Sequence, residues 1–262
     1  MPGASRMHPQ WLLPDWNADG VGAVMTTREG GISIAPFDSL NLRHGVGDDP
    51  QAVDHNQRVL ARAIGVAPVY LDQVHGASVV RLTAADAQPG AAVHTADASV
   101  TTEAGLACTA QVADCLPVLF AAPQGRAVGA AHAGWRGLAL GVLEAGLHAV
   151  CDAAGCEPAQ VQVWLGACIG PQHFEVGADV LEAFGVSPSD QGGPRFAPQR
   201  PGKWLADLPG LAGDRLRAAG ARAIHGGTWC TVSEPSRFFS FRRDRVTGRM
   251  VATIWIDGNR RG

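Results

Sequence analysis

The sequence predicts an α+β fold, a layered sandwich, and three observations carry that reading. Strand-like and helix-like segments recur along the chain without the strict β-α-β alternation of a doubly wound parallel sheet. Glycine (33) and proline (17) are frequent enough to punctuate many short elements. Hydrophobic residues fill 46% of the 262 positions, enough for a sizeable core. Length alone permits one large domain or two small ones. No repeat, low-complexity tract or long polar linker divides the chain, so residues 1–262 read as a single domain with 1–13 as a loose N-terminal extension.

Strands are expected at 21–26, 69–71, 78–82, Ala98–Thr101, 117–121, 127–131, 161–165, 222–225 and Met250–Ile256. Helices are expected at Pro50–Ile64, 138–153, 178–184 and 211–219. The first opens with Asp49 as N-cap and Pro50 at the first helical position. In the second, Leu140, Leu143, Leu147 and Val150 recur at helical spacing and mark a buried face. Residues 187–203, rich in Pro, Gly, Gln and Asp, read as a long surface excursion.

Charge excludes several classes of function. Charged residues are 17% of the chain and the net charge is -3, which gives no general attraction to nucleic acid or to an anionic membrane. Arg242, Arg243 and Arg245 form a local basic cluster, and the Arg242-Arg243-Asp244 run reads as a solvated turn with an internal ion pair. Every apolar run is interrupted before it reaches the length of a membrane span. Residues 1–16 lack the basic-then-apolar layout of a signal peptide, so a cytoplasmic location is expected. The six cysteines (108, 115, 151, 156, 168, 230) contain no C-x-x-C pair and are too sparse for a disulfide scaffold. Most are expected to be buried as small apolar side chains.

A hairpin brings two reactive side chains together. Val118-Leu119-Phe120-Ala121 and Ala127-Val128-Gly129-Ala130 flank Pro123-Gln124-Gly125-Arg126, a good hairpin loop. Pairing across that loop sets positions summing to about 249 opposite each other. Residue 117 then faces His132, and Cys115 falls just beyond the open end of the ladder. Two chemistries are open to this pair: histidine can activate a cysteine nucleophile, or both can ligate a transition metal such as zinc. A third ligand would favour the metal. His75, in Gln73-Val74-His75-Gly76, follows a short strand and precedes a glycine, a suitable loop position for one. Two His and one Cys with a fourth position left to solvent match a catalytic rather than a structural zinc site. After His132, Ala133-Gly134-Trp135-Arg136-Gly137 runs from strand to helix and can aim backbone N–H groups at a cleft. Arg136 can add a bidentate contact to phosphate or carboxylate.

These segments belong to an ordered series of motifs. Thr26-Thr27-Arg28-Glu29-Gly30-Gly31, Ser39-Leu40-Asn41-Leu42, Val46-Gly47-Asp48-Asp49-Pro50 and Gln73-Val74-His75-Gly76 come first. Ala96-Asp97-Ala98, Ala113-Asp114-Cys115-Leu116-Pro117-Val118 and His132-Ala133-Gly134-Trp135-Arg136-Gly137 follow. Phe174-Glu175-Val176-Gly177, Phe239-Ser240-Phe241-Arg242-Arg243-Asp244 and Thr247-Gly248-Arg249-Met250 complete the series. From about Pro14 onward, the chain resembles the bacterial YfiH-like family, long labelled polyphenol oxidase or laccase-domain proteins and now described as purine nucleoside phosphorylases. Phe174 and Phe241 depart from its pattern, standing where the family often has Tyr, or at the second position Tyr or His.

The resemblance implies a layered sandwich of mixed β-sheets flanked by helices, forming a single catalytic domain with zinc held by His75, Cys115 and His132. It implies phosphorolysis of adenosine, inosine and 5′-methylthioadenosine, and adenosine deaminase activity. Purine nucleosides and phosphate are the expected partners.

The residues bear on each of these activities. A multicopper laccase needs about ten histidines, mostly in His-x-His pairs. This chain has nine and no such pair, so only weak oxidation of phenols at an adventitious copper is expected. Deamination is natural chemistry at a metal. The usual H-x-E…P-C-x-x-C pattern is represented only by His173-Phe174-Glu175, and His173 reads as structural. Phosphate is expected near Arg28, Asn41 or the Arg136 turn. Asp114 is a candidate catalytic residue, handling a proton or a ribose hydroxyl, or else ordering a partner of the metal. Gln73 is expected to point into the same cleft. The alternative reading is a Cys115–His132 thiol hydrolase acting, for example, on peptidoglycan precursors.

Overall fold

The computed structural model describes residues 7–188 and 193–258. Its centre is a six-stranded mixed sheet. In spatial order this runs β12 (Ala223–Gly226), β8 (Gln162–Leu165), β6 (Leu116–Ala121), β7 (Val128–Ala133), β4 (Ala98–Thr101) and β3 (Val79–Arg81). The outer pairs β12–β8 and β3–β4 are parallel, and the inner pairs are antiparallel. A four-stranded sheet lies against it in the order β1 (Val21–Met25), β13 (Met250–Ile256), β5 (Leu106–Val112), β2 (Ala67–Val69). A third, antiparallel sheet comprises β10 (Phe196–Arg200), β11 (Lys203–Ala206) and β9 (Glu175–Val176).

Strand alternation explains the layers. In β6, Val118 and Phe120 face one way, toward a cluster that contains Leu143, Leu147 and Val150 of α3 (Val142–Ala154) and Leu211 and Leu216 of α5 (Leu208–Ala218). Their neighbours Leu119 and Ala121 face the other way, onto Cys108, Val112, Ala252 and Ile254 of the four-stranded sheet. That second sheet buries its outer face, including Val24, Ala107 and Val251, against Leu60 and Ile64 of α1 (Pro50–Ile64). The order is helix, sheet, sheet, helix, the expected layered sandwich of mixed sheets. Both faces of the two central sheets are covered, so every residue of β6, β7 and β13 is buried, and only His132 and Thr253 interrupt their apolar sequences.

Helix α1 has the expected limits: Asp49 accepts a hydrogen bond from the Gln51 N–H, and Gly65 closes the helix at φ 76°. The expected helix 138–153 is corrected. It is two helices, α2 (Trp135–Leu140) and α3, separated by Gly141 at φ 94°. Leu140, placed by periodicity on the buried face, is 68% exposed because the break rotates it away. Helix α4 (Ala178–Ala183) agrees with expectation. Helix α5 starts three residues earlier than expected because Asp207 caps it, accepting from the Gly210 N–H. The 187–203 excursion is corrected over its second half, where β10 and β11 form a hairpin; residues 189–192 lie outside the described residues. Strand β2 begins and ends two residues before its expected limits.

Strand β5 was not expected at all. Its sequence, Leu106-Ala-Cys-Thr-Ala-Gln-Val112, is neither alternating nor uniformly apolar, yet every residue is buried. The polar members are satisfied internally: Thr109 donates to the Val69 carbonyl and Gln111 to the Leu42 carbonyl. Near the N-terminus, Trp11 and Leu12 are buried and Leu12 exchanges backbone hydrogen bonds with Met25. These two residues correct the expected loose extension, and residues 1–6 lie outside the described residues. No helix among the described residues is long and apolar enough to cross a membrane.

Candidate metal centre and its cleft

The hairpin register is the expected one: Pro117 lies opposite His132 and Leu116 opposite Ala133. Cys115 therefore precedes the first residue of β6 beside His132 on β7. His75, in the loop between β2 and β3, reaches them from the sheet edge with φ 64°. The potential ligand atoms of all three residues lie within 4.8 Å of one another. His75 Nε2 is 3.7 Å from Cys115 Sγ, and the His75 and His132 rings meet edge-on with centroids 4.8 Å apart. A tetrahedral ion with metal–nitrogen bonds of ~2.0–2.1 Å and a metal–sulfur bond of ~2.3 Å requires donors roughly 3.3–3.7 Å apart. The mixed nitrogen and sulfur set therefore fits a zinc-sized ion with small adjustments, and exposed His75 leaves one side facing the cleft.

Asp97 organises this trio. Its side chain is fully buried. Oδ1 accepts from the His75 N–H at 2.9 Å and from His132 Nδ1 at 2.8 Å; Oδ2 accepts from the N–H groups of Val74 (3.2 Å) and Gly76 (2.6 Å). The bond to His132 Nδ1 leaves Nε2 as the ligand atom. The bonds to residues 74–76 hold His75 in its left-handed backbone conformation. Two glycines make room: a Cβ at Gly134 would stand 2.7 Å from His75 Cδ2 and 3.0 Å from Cys115 Sγ, and one at Gly137 would stand 2.7 Å from the Gly76 carbonyl.

The charges are strongly coupled. Burial alone would raise the Cys115 thiol, but the positive charge of His132 and hydrogen bonds from both histidines bring it down to about 6. Burial alone would lower His132, but the Cys115 charge and the Asp97 hydrogen bond raise it to about 9. For Asp97, burial is outweighed by the bonds from His132 and the loop N–H groups, and its carboxyl is held below the ordinary value. Each group favours the charged form of the other: His132 favours the Cys115 thiolate, and Cys115 with Asp97 favours the His132 imidazolium.

The cleft has two basins that share Ala113, Cys115 and Phe241. The first, about 300 Å³, is walled by the trio together with Arg43, Gln73, Gln111 and Arg249. The second, about 250 Å³, is walled by Trp135, Ile169, Phe174 and Leu208, with Arg136 and Arg242 at its edge.

The remaining expected residues fall in different places. Gln73 lines the first basin, its amide paired with both backbone groups of Gln111 at 2.8 Å. Asn41 is buried behind that basin and holds the backbone at Arg43 and Arg249. Arg136 lines the second basin, stacked 4.3 Å over the Trp135 ring. Arg28 lines neither basin: its guanidinium bonds the carbonyls of Asp38 and Pro235 and pairs with the Asp38 carboxylate. Asp114 lines the second basin at φ 93°, but its carboxylate accepts from Thr231 Oγ1 and from the Arg242 N–H. His173 bonds Ser233 Oγ at 2.8 Å, in keeping with a structural role. The 242–244 run has the expected Arg243–Asp244 pair, but it is the short helix α6 (Phe241–Asp244), and Arg242 reaches into the second basin. Arg43 and Gln111 are not singled out by the sequence, Asp97 and Arg249 enter only as members of the motif series, and Phe241 only as a departure from the family pattern. For Asp97 the local signal is an acid heading a buried strand.

A layered α+β sandwich with a His–Cys–His trio at the open end of its central hairpin defines a class of metal-capable pocket proteins. Residues 22–257 match the family described as multi-copper polyphenol oxidoreductase laccase. A Pseudomonas aeruginosa protein named purine nucleoside phosphorylase is 48% identical over 94% of this chain and 98% of its own length. The purine nucleoside phosphorylase YfiH of Escherichia coli is 44% identical over 95% of this chain and 97% of its own. The crystal structure of a Neisseria meningitidis protein superposes with a TM-score of 0.87 at 44% identity, covering 95% of this chain and all of that one. The chain belongs to the YfiH-like family.

Proposed function

We propose that the chain is a zinc-dependent purine nucleoside phosphorylase, one catalytic domain acting in the cytoplasm on adenosine, inosine and 5′-methylthioadenosine, with adenosine deaminase activity as a second reaction. Relatives named purine nucleoside phosphorylase across nearly the whole chain support the reaction. The observation that carries it here is the trio opening into a divided cleft, with two arginines on the wall of each basin and Trp135 and Phe174 on the wall of the second. In phosphorolysis a phosphate oxygen bonds C1′ of the ribose as the bond from C1′ to the purine nitrogen breaks; the base leaves with a proton, and ribose 1-phosphate remains.

His75, Cys115 and His132 would hold the ion, which when bound supplies Lewis acidity at the cavity wall. Asp97 sets the tautomer of His132 and the position of His75. Trp135, Phe174 and Phe241 offer flat apolar surface for a purine. Neither Phe174 nor Phe241 can hydrogen-bond the substrate from its ring. A multicopper cluster has no support: among the described residues the trio is the only group of three or more His, Cys, Asp or Glu able to hold a metal. Copper at the trio remains the chemical alternative to zinc.

One observation favours a second reading. Cys115, His132 and Asp97 are arranged as nucleophile, base and orienting acid, which suits the thiol hydrolase. Metal analysis coupled to an inosine-plus-phosphate assay, on wild type and His75→Ala, separates the two. The proposal expects stoichiometric zinc and phosphate-dependent release of hypoxanthine, both lost in the variant. Intact inosine in the presence of zinc and phosphate would refute it, and turnover of another substrate by metal-free protein would favour the hydrolase.

A further inference from the structure

We infer that Arg43 and Arg249 form an anion pocket beside the trio and bind inorganic phosphate there; the choice of phosphate rests on the phosphorylase reading, while the anion pocket rests on the geometry alone. Both guanidinium-bearing residues line the same 300 Å³ basin as His75, Cys115 and His132. Arg28, Arg195, Arg200, Arg215 and Arg237 each pair with a carboxylate. Among the described residues, Arg43 and Arg249 pair with none. Arg136 and Arg242 of the second basin also pair with none among those residues, but Arg136 stacks on Trp135 and Arg242 donates to the carbonyls of His173 and Glu175. Neither lines the basin that holds all three of the trio. Arg249 Nη1 donates to the Thr247 and Gly248 carbonyls at 2.8 and 3.0 Å, and the rest of its fork has no protein acceptor among those residues.

Two half-buried cations side by side with no carboxylate paired to either repel each other, and the charges of Cys115 and Asp114 nearby offset that only in part. Burial first, and then the Arg43 charge, push the Arg249 guanidinium below its ordinary pKa. The nearby carboxylate of Asp114 is engaged by Thr231 and the Arg242 N–H. The fold enforces this juxtaposition through one buried amide. Asn41 Oδ1 accepts from the N–H of Arg43 (3.2 Å) and of Arg249 (2.9 Å), and Asn41 Nδ2 donates to the Arg43 carbonyl (3.1 Å) and to Asp48 Oδ2 (2.9 Å). An oxyanion between two guanidinium forks relieves the repulsion and accepts several charge-assisted hydrogen bonds. It would lie in the first basin, while the second, with Trp135 and Phe174 on its wall, stays free for the base.

The test is titration of zinc-loaded protein with inorganic phosphate, followed calorimetrically, together with steady-state kinetics on inosine. Arg43→Met and Arg249→Met are compared with wild type, and zinc content and melting temperature report whether each variant is folded. The expected result is phosphate affinity reduced at least tenfold in each folded variant, or, where binding is seen only during turnover, KM for phosphate raised at least tenfold with KM for inosine within about twofold. Folded variants that match wild type in both measurements overturn the assignment even if phosphorolysis itself is confirmed. A wild type that binds phosphate through both arginines but leaves inosine intact would keep the anion pocket and remove the phosphorylase reading. Adenosine 5′-monophosphate is the second titrant: binding that depends on both arginines and is tighter than that of phosphate would overturn the free-phosphate assignment in favour of a nucleotide phosphate.

Discussion

Replacing Asp97 by Asn tests the organisation of the metal centre most directly. The buried carboxylate receives four hydrogen bonds, two on each oxygen. Asparagine offers one acceptor oxygen and one NH₂ group, so whichever way the amide turns, two donors lose their acceptor. At ~1.5–3 kcal/mol for a hydrogen bond to a charged group, the loss is about 3–6 kcal/mol. That is a large share of a typical folding free energy of ~5–15 kcal/mol. The part felt by the metal follows from releasing His132 Nδ1 and the His75 loop, and outer partners of this kind are worth roughly 10–100-fold in metal affinity.

Competition with a chromophoric chelator measures that affinity, and a thermal melt on the same sample measures stability. An acid titration adds a sign. The folded pKa of Asp97 is depressed, so its stabilisation is complete above the unfolded value of ~3.9 and is lost as pH falls through the folded value. Asp97→Asn therefore flattens the acid limb of the stability curve. A folded variant with metal affinity within twofold of wild type would refute the argument that Asp97 orients both histidines.

Two further outcomes follow from the same geometry. In metal-stripped protein, iodoacetamide should alkylate Cys115 with a midpoint near pH 6, because the thiol is held at about 6, and His132→Gln should move that midpoint upward past neutrality. A wild-type midpoint near the free-thiol value of ~8.5 would contradict the coupled pair. Gly134→Ala should weaken metal binding although residue 134 has no ligand atom, since its Cβ would stand 2.7 Å from the His75 ring and 3.0 Å from Cys115 Sγ; unchanged affinity, again by chelator competition, would mean that His75 can move aside freely.

Local chemistry accounts for how much of the site was legible beforehand. A hairpin loop and period-two pairing suffice to place Cys115 beside His132, because register propagates from the turn. The start and stop of α1 follow from Asp49, Pro50 and Gly65, all neighbours in sequence. The break at Gly141 was hidden because the apolar spacing runs through it: Leu140 keeps the helical interval while the backbone turns it to solvent. Strand β5 was hidden for the opposite reason. Its Thr and Gln look like surface residues until Val69 and Leu42 supply their acceptors from elsewhere in the chain.

The sequence by itself determined the layered α+β class, the hairpin register and the meeting of Cys115 with His132, since turn chemistry and strand pairing are local properties; His75 joined them as a candidate third ligand, supported by the family resemblance. Tertiary structure alone decided which charges stay unpaired. Arg28 was a candidate for the anion, but folding brings it to Asp38 and to the carbonyl of Pro235. Arg43 and Arg249, 206 positions apart, are brought to one cavity wall through Asn41. Whether a guanidinium is a strut or a binding group depends on what the rest of the chain places within hydrogen-bond reach, and sequence spacing does not contain that distance.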